Sequence, residues 1–411
     1  MSGMSARPKL TVATTFPVHP ARGGGQTRVV GLYGAAAALG VDVDVVALVD
    51  REERATVTQV RPGLREIRVP KSEEHNAAES RLERALHVPV TDVALALYGD
   101  LTPDYAGALR ASAADASAVV ACHPYATAAL LDAAPDLPLL YEAQDVETDL
   151  KAALLAGVEA DAAAEALASV RAAEALACDR AAQILTCSAR DGDRLVALFG
   201  ADPEHVAVVP NGYEAEHVPY VDPEARAAHR RAVGVERFTA LFVGSWHGPN
   251  LEAAEAVCAA AAALPDARFL LVGSAGQALK PDAVPANVDV TGPVHEGFLR
   301  DVLALADVAL NPMMSGSGTN LKMLEYAGAG VPLVSSAFGA RGLDMTPGEH
   351  YVEAEPDGLA AALATVRDEP ADATARRVRR AHEHVLERFD WPVIARRWLD
   401  RAPIERTSLT P

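Results

Sequence analysis

The stretch Asn311–Ser336, NPMMSGSGTNLKMLEYAGAGVPLVSS, constrains this chain more than any other. It runs from the end of an apolar segment, ADVALNP, through a glycine-rich loop into a helical pattern. A glycine stop and a second apolar segment, VPLVSS, follow. Strand, helix and strand in that order predict a βαβ unit of a parallel sheet. The loop MMSGSGTN puts small residues where the helix should begin, which leaves backbone N–H groups uncovered. A helix start carries unpaired donors and a partial positive charge, so it can hold an anion. Gly318, Lys322 and Glu325 share one helix face by three-and-four spacing. Leu321, Leu324 and Gly328 share another, assigned to the sheet. Donors and a cation near the loop, with a carboxylate one turn on, suit a phosphate joined to a hydroxyl-bearing ring. An ordinary crossover with a solvated Lys–Glu pair fits the same residues.

The segment resembles the nucleotide-sugar site of retaining glycosyltransferases of the GT-B fold, family 4. In that family two glutamates with seven residues between them mark this helix. The second grips the ribose hydroxyls and the first contacts the donor sugar. Glu325 matches the second; the first falls on Ser317, a departure from the common pattern. The chain is closer to a subgroup with a glycine- and serine-rich loop followed by T-x-L-K-x-L-E. The resemblance implies donor contacts at Ser317, Gly318, Thr319, Asn320, Lys322 and Glu325.

A length of 411 residues exceeds what one core usually supports, so two domains are expected. The formal charge of −19 argues against a nucleic-acid partner, which needs a basic footprint. Residues 1–71 nonetheless carry a local excess of Lys and Arg, which leaves peripheral membrane contact open. Cys122, Cys178, Cys187 and Cys258 are far apart, with no C-x-x-C pair. They suggest neither a disulfide framework nor a zinc site, and they fit a reducing cytoplasm. No long apolar leader or spanning run is present, so no transmembrane segment is expected.

The run KLTVATTFPVHPARGGGQTRVVGLYGAAAALG predicts a strand over Leu10–Thr14, a glycine loop, and a helix from about 26 to 39. A glycine turn there lets backbone approach a ligand. The dinucleotide pattern G-x-G-x-x-G is not met, since Arg28 stands where its last glycine should be. Gly24 and Gly25 instead match the Gly-Gly pair that family 4 proteins turn towards the donor phosphates. Arg28 is read either as reaching an anion in the cleft or as a solvated helix residue. Asp42 and Asp44 form a D-x-D that is read as surface alternation. Residues 72–115 read as helical, with no diagnostic residue.

A strand over Ala118–Cys122 places His123 just beyond its carboxyl end, where ligands meet open α/β sheets. An isolated histidine is more often structural; the resemblance places it near the donor sugar or acceptor and makes it a catalytic candidate. A strand over Leu137–Tyr141 brings Gln144, Asp145 and Glu147 to a similar position. Asp145 reads equally as a cleft residue or as a helix cap. The turn Pro210–Gly212 resembles a family signature at the first domain's end. The second domain is expected over 213–389, with a final helix in 390–411 packing back on domain 1–212. In the second domain the strand Ala240–Gly244 puts Gly244 at the donor site. Val294, in the loop after a further strand, matches a nucleobase contact. The usual basic residue after the 240–244 strand is replaced by Ser245, Trp246 and His247, which shifts its charge to Lys322.

The resemblance therefore implies two doubly wound Rossmann-like α/β domains facing across a cleft. It implies a retaining, metal-independent, cytoplasmic glycosyltransferase with a nucleotide-sugar donor, an unidentified acceptor, no cofactor and no metal. Alternatives on the same fold are a nucleotide-sugar epimerase and a catalytically degenerate subunit that binds or activates a partner.

Overall fold

The computed structural model describes residues 7–158, 161–216, 218–316 and 318–404, and only the backbone of Glu296. It divides into two compact units, Met1–Pro210 with Trp391–Pro411, and Asn211–Asp390. Ser317 lies outside the described residues.

The first unit holds eight strands: β1 (Lys9–Thr14), β2 (Asp42–Val49), β3 (Thr56–Arg61), β4 (Leu64–Pro70), β5 (Ala118–Cys122), β6 (Leu139–Ala143), β7 (Gln183–Thr186) and β8 (Val206–Val208). Their order is β3-β4-β2-β1-β5-β6-β7-β8. All neighbours pair parallel except β3 with β4. Alternation decides which face each side chain takes. Leu10 and Val12 of β1, with Ala118, Val120 and Cys122 of β5, enter one core. Ala13, Val119 and Ala121 enter the core on the opposite face. Burying each large apolar side chain contributes about 1.5–3 kcal/mol. The β3–β4 edge pair has no counterpart in the expectations drawn from sequence: β3 is largely exposed and lacks an apolar face.

Asp44 corrects the reading of D-x-D as surface. Its side chain is buried, with Lys9 Nζ at 3.0 Å and Arg65 Nε at 2.7 Å. Burial pushes its pKa up, but bonds from Arg65 and Lys9 prevail and hold it below the usual carboxylate range. Those cations sit on neighbouring strands, so alternation within β2 alone does not reveal them.

Helix Trp391–Leu399 packs on helix Gly24–Ala38 within the first unit. Trp391 and Trp398 join its core. A Cβ added at Gly31 would lie 2.2 Å from Trp391 Nε1, so glycine there is required by close approach.

The second unit holds β9 (Thr239–Val243), β10 (Arg268–Val272), β11 (Val288–Gly292), β12 (Val308–Asn311), β13 (Leu333–Ser335) and β14 (Val352–Glu353). Their order is β11-β10-β9-β12-β13-β14, parallel throughout. Leu241, Leu270 and Val272 face one core, and Ala240, Phe242, Phe269 and Leu271 the other. In each sheet the chain reverses its direction of winding once, between β1 and β5 and between β9 and β12. Ligands of doubly wound sheets bind beyond the strand ends at such switch points.

Candidate functional site

Both switch points collect residues singled out in the sequence. In the second unit the loops after β9 and β12 meet the helix Leu321–Gly328. Glycines end three adjacent strands. A Cβ at Gly273 would lie 2.3 Å from the Gly244 carbonyl, and one at Gly292 2.7 Å from Gln277 Nε2. Gly244 is itself confined by Phe242, Ala275 and Asn250. The loop after β12 turns through Gly316 and Gly318, both at positive φ. Val294 is partly buried against the adjoining core.

Asn320 occupies the N-cap position but makes no cap hydrogen bond. Its Nδ2 donates to the Gly339 carbonyl at 2.9 Å instead, so Asn320 leaves the helix start uncapped. Thr319 Oγ1 accepts from Asn211 Nδ2 at 3.3 Å. The helix buries Met323, Leu324, Tyr326 and Ala327. Tyr326 accepts from the Val243 amide at 2.8 Å, which ties the helix to the end of β9.

Lys322 and Glu325 remain part-exposed on the other side. Lys322 Nζ donates to Asn250 Oδ1 at 2.7 Å and lies 4.4 Å from the Phe242 ring centroid. Among the described residues, the Glu325 carboxylate accepts no hydrogen bond and forms no ion pair with Lys322. Burial lowers the Lys322 pKa to about 7 against the pull of Glu325. Burial likewise raises Glu325 to about 7, against Lys322. A fully solvated Lys–Glu pair would show neither effect. The geometry offers an ammonium and uncapped amides to an anion, and an unpartnered carboxylate to hydroxyl donors.

In the first unit, His123 follows β5 with φ of 65°. A bulky residue in that region is strained, and such strain concentrates at functional sites. Its Nδ1 is 2.7 Å from Glu147 Oε1. Tyr125 donates to Glu147 Oε2 at 2.5 Å, and Lys151 lies 3.8 Å from the same oxygen. Phe16, from the loop after β1, meets the His123 ring edge-on. Burial depresses the His123 pKa, but Glu147, with Asp92 and Asp145, raises it overall. Burial raises Glu147, but His123 and Lys151 lower it overall.

The sign of each shift fixes a stability window. The His123 contribution is complete below the unfolded value near about 6.5 and fades as pH rises through the folded value. The Glu147 contribution is complete above about 4.3 and fades as pH falls through its folded value. Thermal melts should therefore separate wild type from Glu147→Gln most between roughly pH 4.5 and 6.5. An equal separation at strongly alkaline pH would show that the pair does not ionise.

Three expectations need correction or addition. Arg28 is neither a solvated residue nor an anion-reaching cleft residue. It is 1% exposed, and its Nε donates to Glu142 at 2.8 Å, with Tyr33 donating to the same carboxylate. Its helix begins at Gly24, so Gly24 and Gly25 sit in the first turn, where Gln26 Oε1 accepts from the Gly23 amide at 3.0 Å. A Cβ at Gly25 would meet Gln144 Oε1 at 2.7 Å. Asp145 does not cap the following helix: Val146 is the N-cap, and Glu174 accepts from the Glu147 and Thr148 amides at 2.8 Å. Sequence reasoning did not single out Tyr125, Lys151, Asn250 or Tyr326. Their roles depend on contacts between separate elements; the i, i+4 spacing of Glu147 and Lys151 is a local signal for Lys151 alone.

Among the described residues, no group of three or more His, Cys, Asp or Glu could hold a metal ion, and no helix is long and apolar enough to cross a membrane. None of the four cysteines is in a disulfide, and all four are buried.

Two doubly wound units with loop sites at their switch points define the class, and comparison with known proteins agrees. Residues 237–369 match the glycosyl transferases group 1 family, and residues 23–212 match a glycosyl transferase 4-like domain. The chain belongs to this glycosyltransferase family and has the GT-B fold. It is 32% identical over 224 residues to a glycogen synthase of Mycobacterium tuberculosis, covering 51% of this chain and 50% of that one. It is 33% identical over 162 residues to a D-inositol 3-phosphate glycosyltransferase of Mycobacterium sp. (strain KMS), covering 36% of each. The chain thus spans about half the length, or less, of the curated relatives it matches. Among solved structures, sucrose-phosphate synthase from Thermosynechococcus elongatus superposes with a TM-score of 0.71 at 18% identity, over 96% of this chain and 98% of that one. Anabaena HepE in complex with UDP-glucose gives 0.62 at 16% identity, over 95% and 98%. At such identities these structures speak for the fold alone.

Proposed function

We propose that the chain is a retaining glycosyltransferase that moves a sugar from a nucleotide-sugar donor to an acceptor without a metal ion. The observation that carries this reading is the Lys322–Glu325 face at the second switch point. It joins a part-buried ammonium to a carboxylate that accepts no hydrogen bond from the described residues. Lys322 and the uncapped helix amides stabilise the leaving diphosphate, where negative charge grows in the transition state. Glu325 accepts from the ribose hydroxyls. Gly318, Thr319, Asn320, Gly244 and Val294 complete the donor site through backbone and loop contacts. Ser317 is assigned there from the resemblance alone.

His123 is assigned to the reacting sugar or the acceptor, with Gly24 and Gly25 turned towards phosphate. The leaving phosphate or a loop carbonyl assists on the face where the new bond forms. We place the reaction in the cytoplasm. HepE, as a neighbour in complex with UDP-glucose, makes UDP-sugars the first donors to try.

The test is a thermal-shift panel of UDP-, GDP-, dTDP- and ADP-sugars, followed by a transfer assay with anomeric NMR of the product. A donor at a hundred times its dissociation constant should add roughly 2.7 kcal/mol of stability. No shift with any donor would sink the reading. Sugar isomerisation in the absence of acceptor would replace transfer with epimerisation, and binding without either reaction would leave a non-catalytic subunit. Because Lys322 stands where a cation is needed, turnover should survive EDTA. Complete loss in EDTA with rescue by Mg²⁺ or Mn²⁺ would overturn metal independence.

A further inference from the structure

We propose that Asn250 is a positioning residue for Lys322: its neutral carboxamide fixes the ammonium and leaves the positive charge free for donor phosphates. The inference rests on the diphosphate role given to Lys322. A lysine side chain is long and flexible, and holding it in one place costs rotamer entropy. Three groups define the place of Nζ: Asn250 Oδ1 at 2.7 Å, Met313 Sδ at 3.7 Å, and the Phe242 ring. They come from the helix Gly248–Ala263, the loop after β12, and β9. None is charged. Glu325, on the lysine's own helix, is the charged group that acts on it.

Asn250 is itself held. Its Nδ2 donates to the Ser245 carbonyl at 3.1 Å and to Ser245 Oγ at 3.3 Å. Its backbone amide donates to His247 at 2.8 Å. The amide side chain therefore spans the turn after β9 and presents its oxygen across to the neighbouring helix. An aspartate could accept the same hydrogen bond, but its charge would cancel that of the ammonium. A carboxamide orients the cation without neutralising it, and that choice makes sense when an anion is to be bound.

Calorimetry should compare UDP, GDP, dTDP and ADP, each against its own nucleoside, on wild type, Asn250→Asp, Asn250→Ala and Lys322→Ala. An acidic residue in the first turn of a helix is well tolerated, so Asn250→Asp should fold, and a thermal melt checks it. Asn250→Asp should weaken diphosphate binding roughly tenfold or more and leave the nucleoside unchanged. Asn250→Ala should give a smaller loss of the same kind. Asn250→Ala should add nothing further to Lys322→Ala, because the two changes act through one ammonium. Wild-type diphosphate affinity in both Asn250 variants, or equal losses for diphosphate and nucleoside, would overturn the assignment. So would losses that simply add to those of Lys322→Ala. If Lys322→Ala itself binds diphosphates as wild type does, the role of the lysine fails and Asn250 falls with it. Loss in Lys322→Ala beside intact binding in Asn250→Asp would sink the Asn250 proposal alone.

Discussion

Glu325→Ala should weaken nucleotide affinity by roughly ten- to hundred-fold, because a charged hydrogen bond contributes about 1.5–3 kcal/mol. The loss should fall on nucleoside and nucleoside diphosphate alike, since both carry the ribose hydroxyls. Lys322→Ala should differ: it should weaken diphosphates and nucleotide sugars and spare the nucleoside, which has no phosphate. The two residues lie one turn apart on a helix face, about 5–6 Å at Cβ, so each can meet a different part of one ligand. Calorimetry on the two variants with both ligands separates the roles. Unchanged binding in both variants would reduce the segment to packing. A loss of nucleoside affinity in Lys322→Ala equal to that for diphosphate would place the ammonium elsewhere.

His123→Ala should lower kcat by roughly 10²–10³, the range seen when one donor to a transition state is removed. Nucleotide affinity should change little, because Lys322 and Glu325 belong to the other unit. The Glu147 carboxylate engages Nδ1 and raises the ring's pKa. The imidazolium is therefore favoured over more of the neutral range than a free ring would allow, with Nε2 as its second donor. Steady-state kinetics and nucleotide titration on the same variant decide the matter. Wild-type turnover would show that the strained backbone at His123 serves only to turn the chain.

How legible these sites were depended on the range of the contacts. β5 and the glycine-rich loop before Leu321 came from local signals: an apolar run and small residues. Arg28 was misread because its carboxylate partner is on β6, on the far side of β1 and β5. Asp44 was misread for the same reason, since Lys9 and Arg65 reach it from flanking strands. The Asn250–Lys322 bond joins residues 72 apart in the chain. His123 was singled out correctly as a strand-end residue, but its positive φ and its Tyr125–Glu147 partners follow from packing. Periodicity reports which face a residue takes; it is silent on who stands opposite.

The tryptophan seated on Gly31 sets a schedule for the growing chain. Its helix belongs to the first unit but is translated only after all of Asn211–Asp390. At ordinary ribosomal speeds that interval is roughly 10–40 s. Throughout it, the side of helix Gly24–Ala38 that will receive Trp391 and Trp398 waits uncovered, though its sheet has already been made. The first unit is therefore begun before the second and completed only after it.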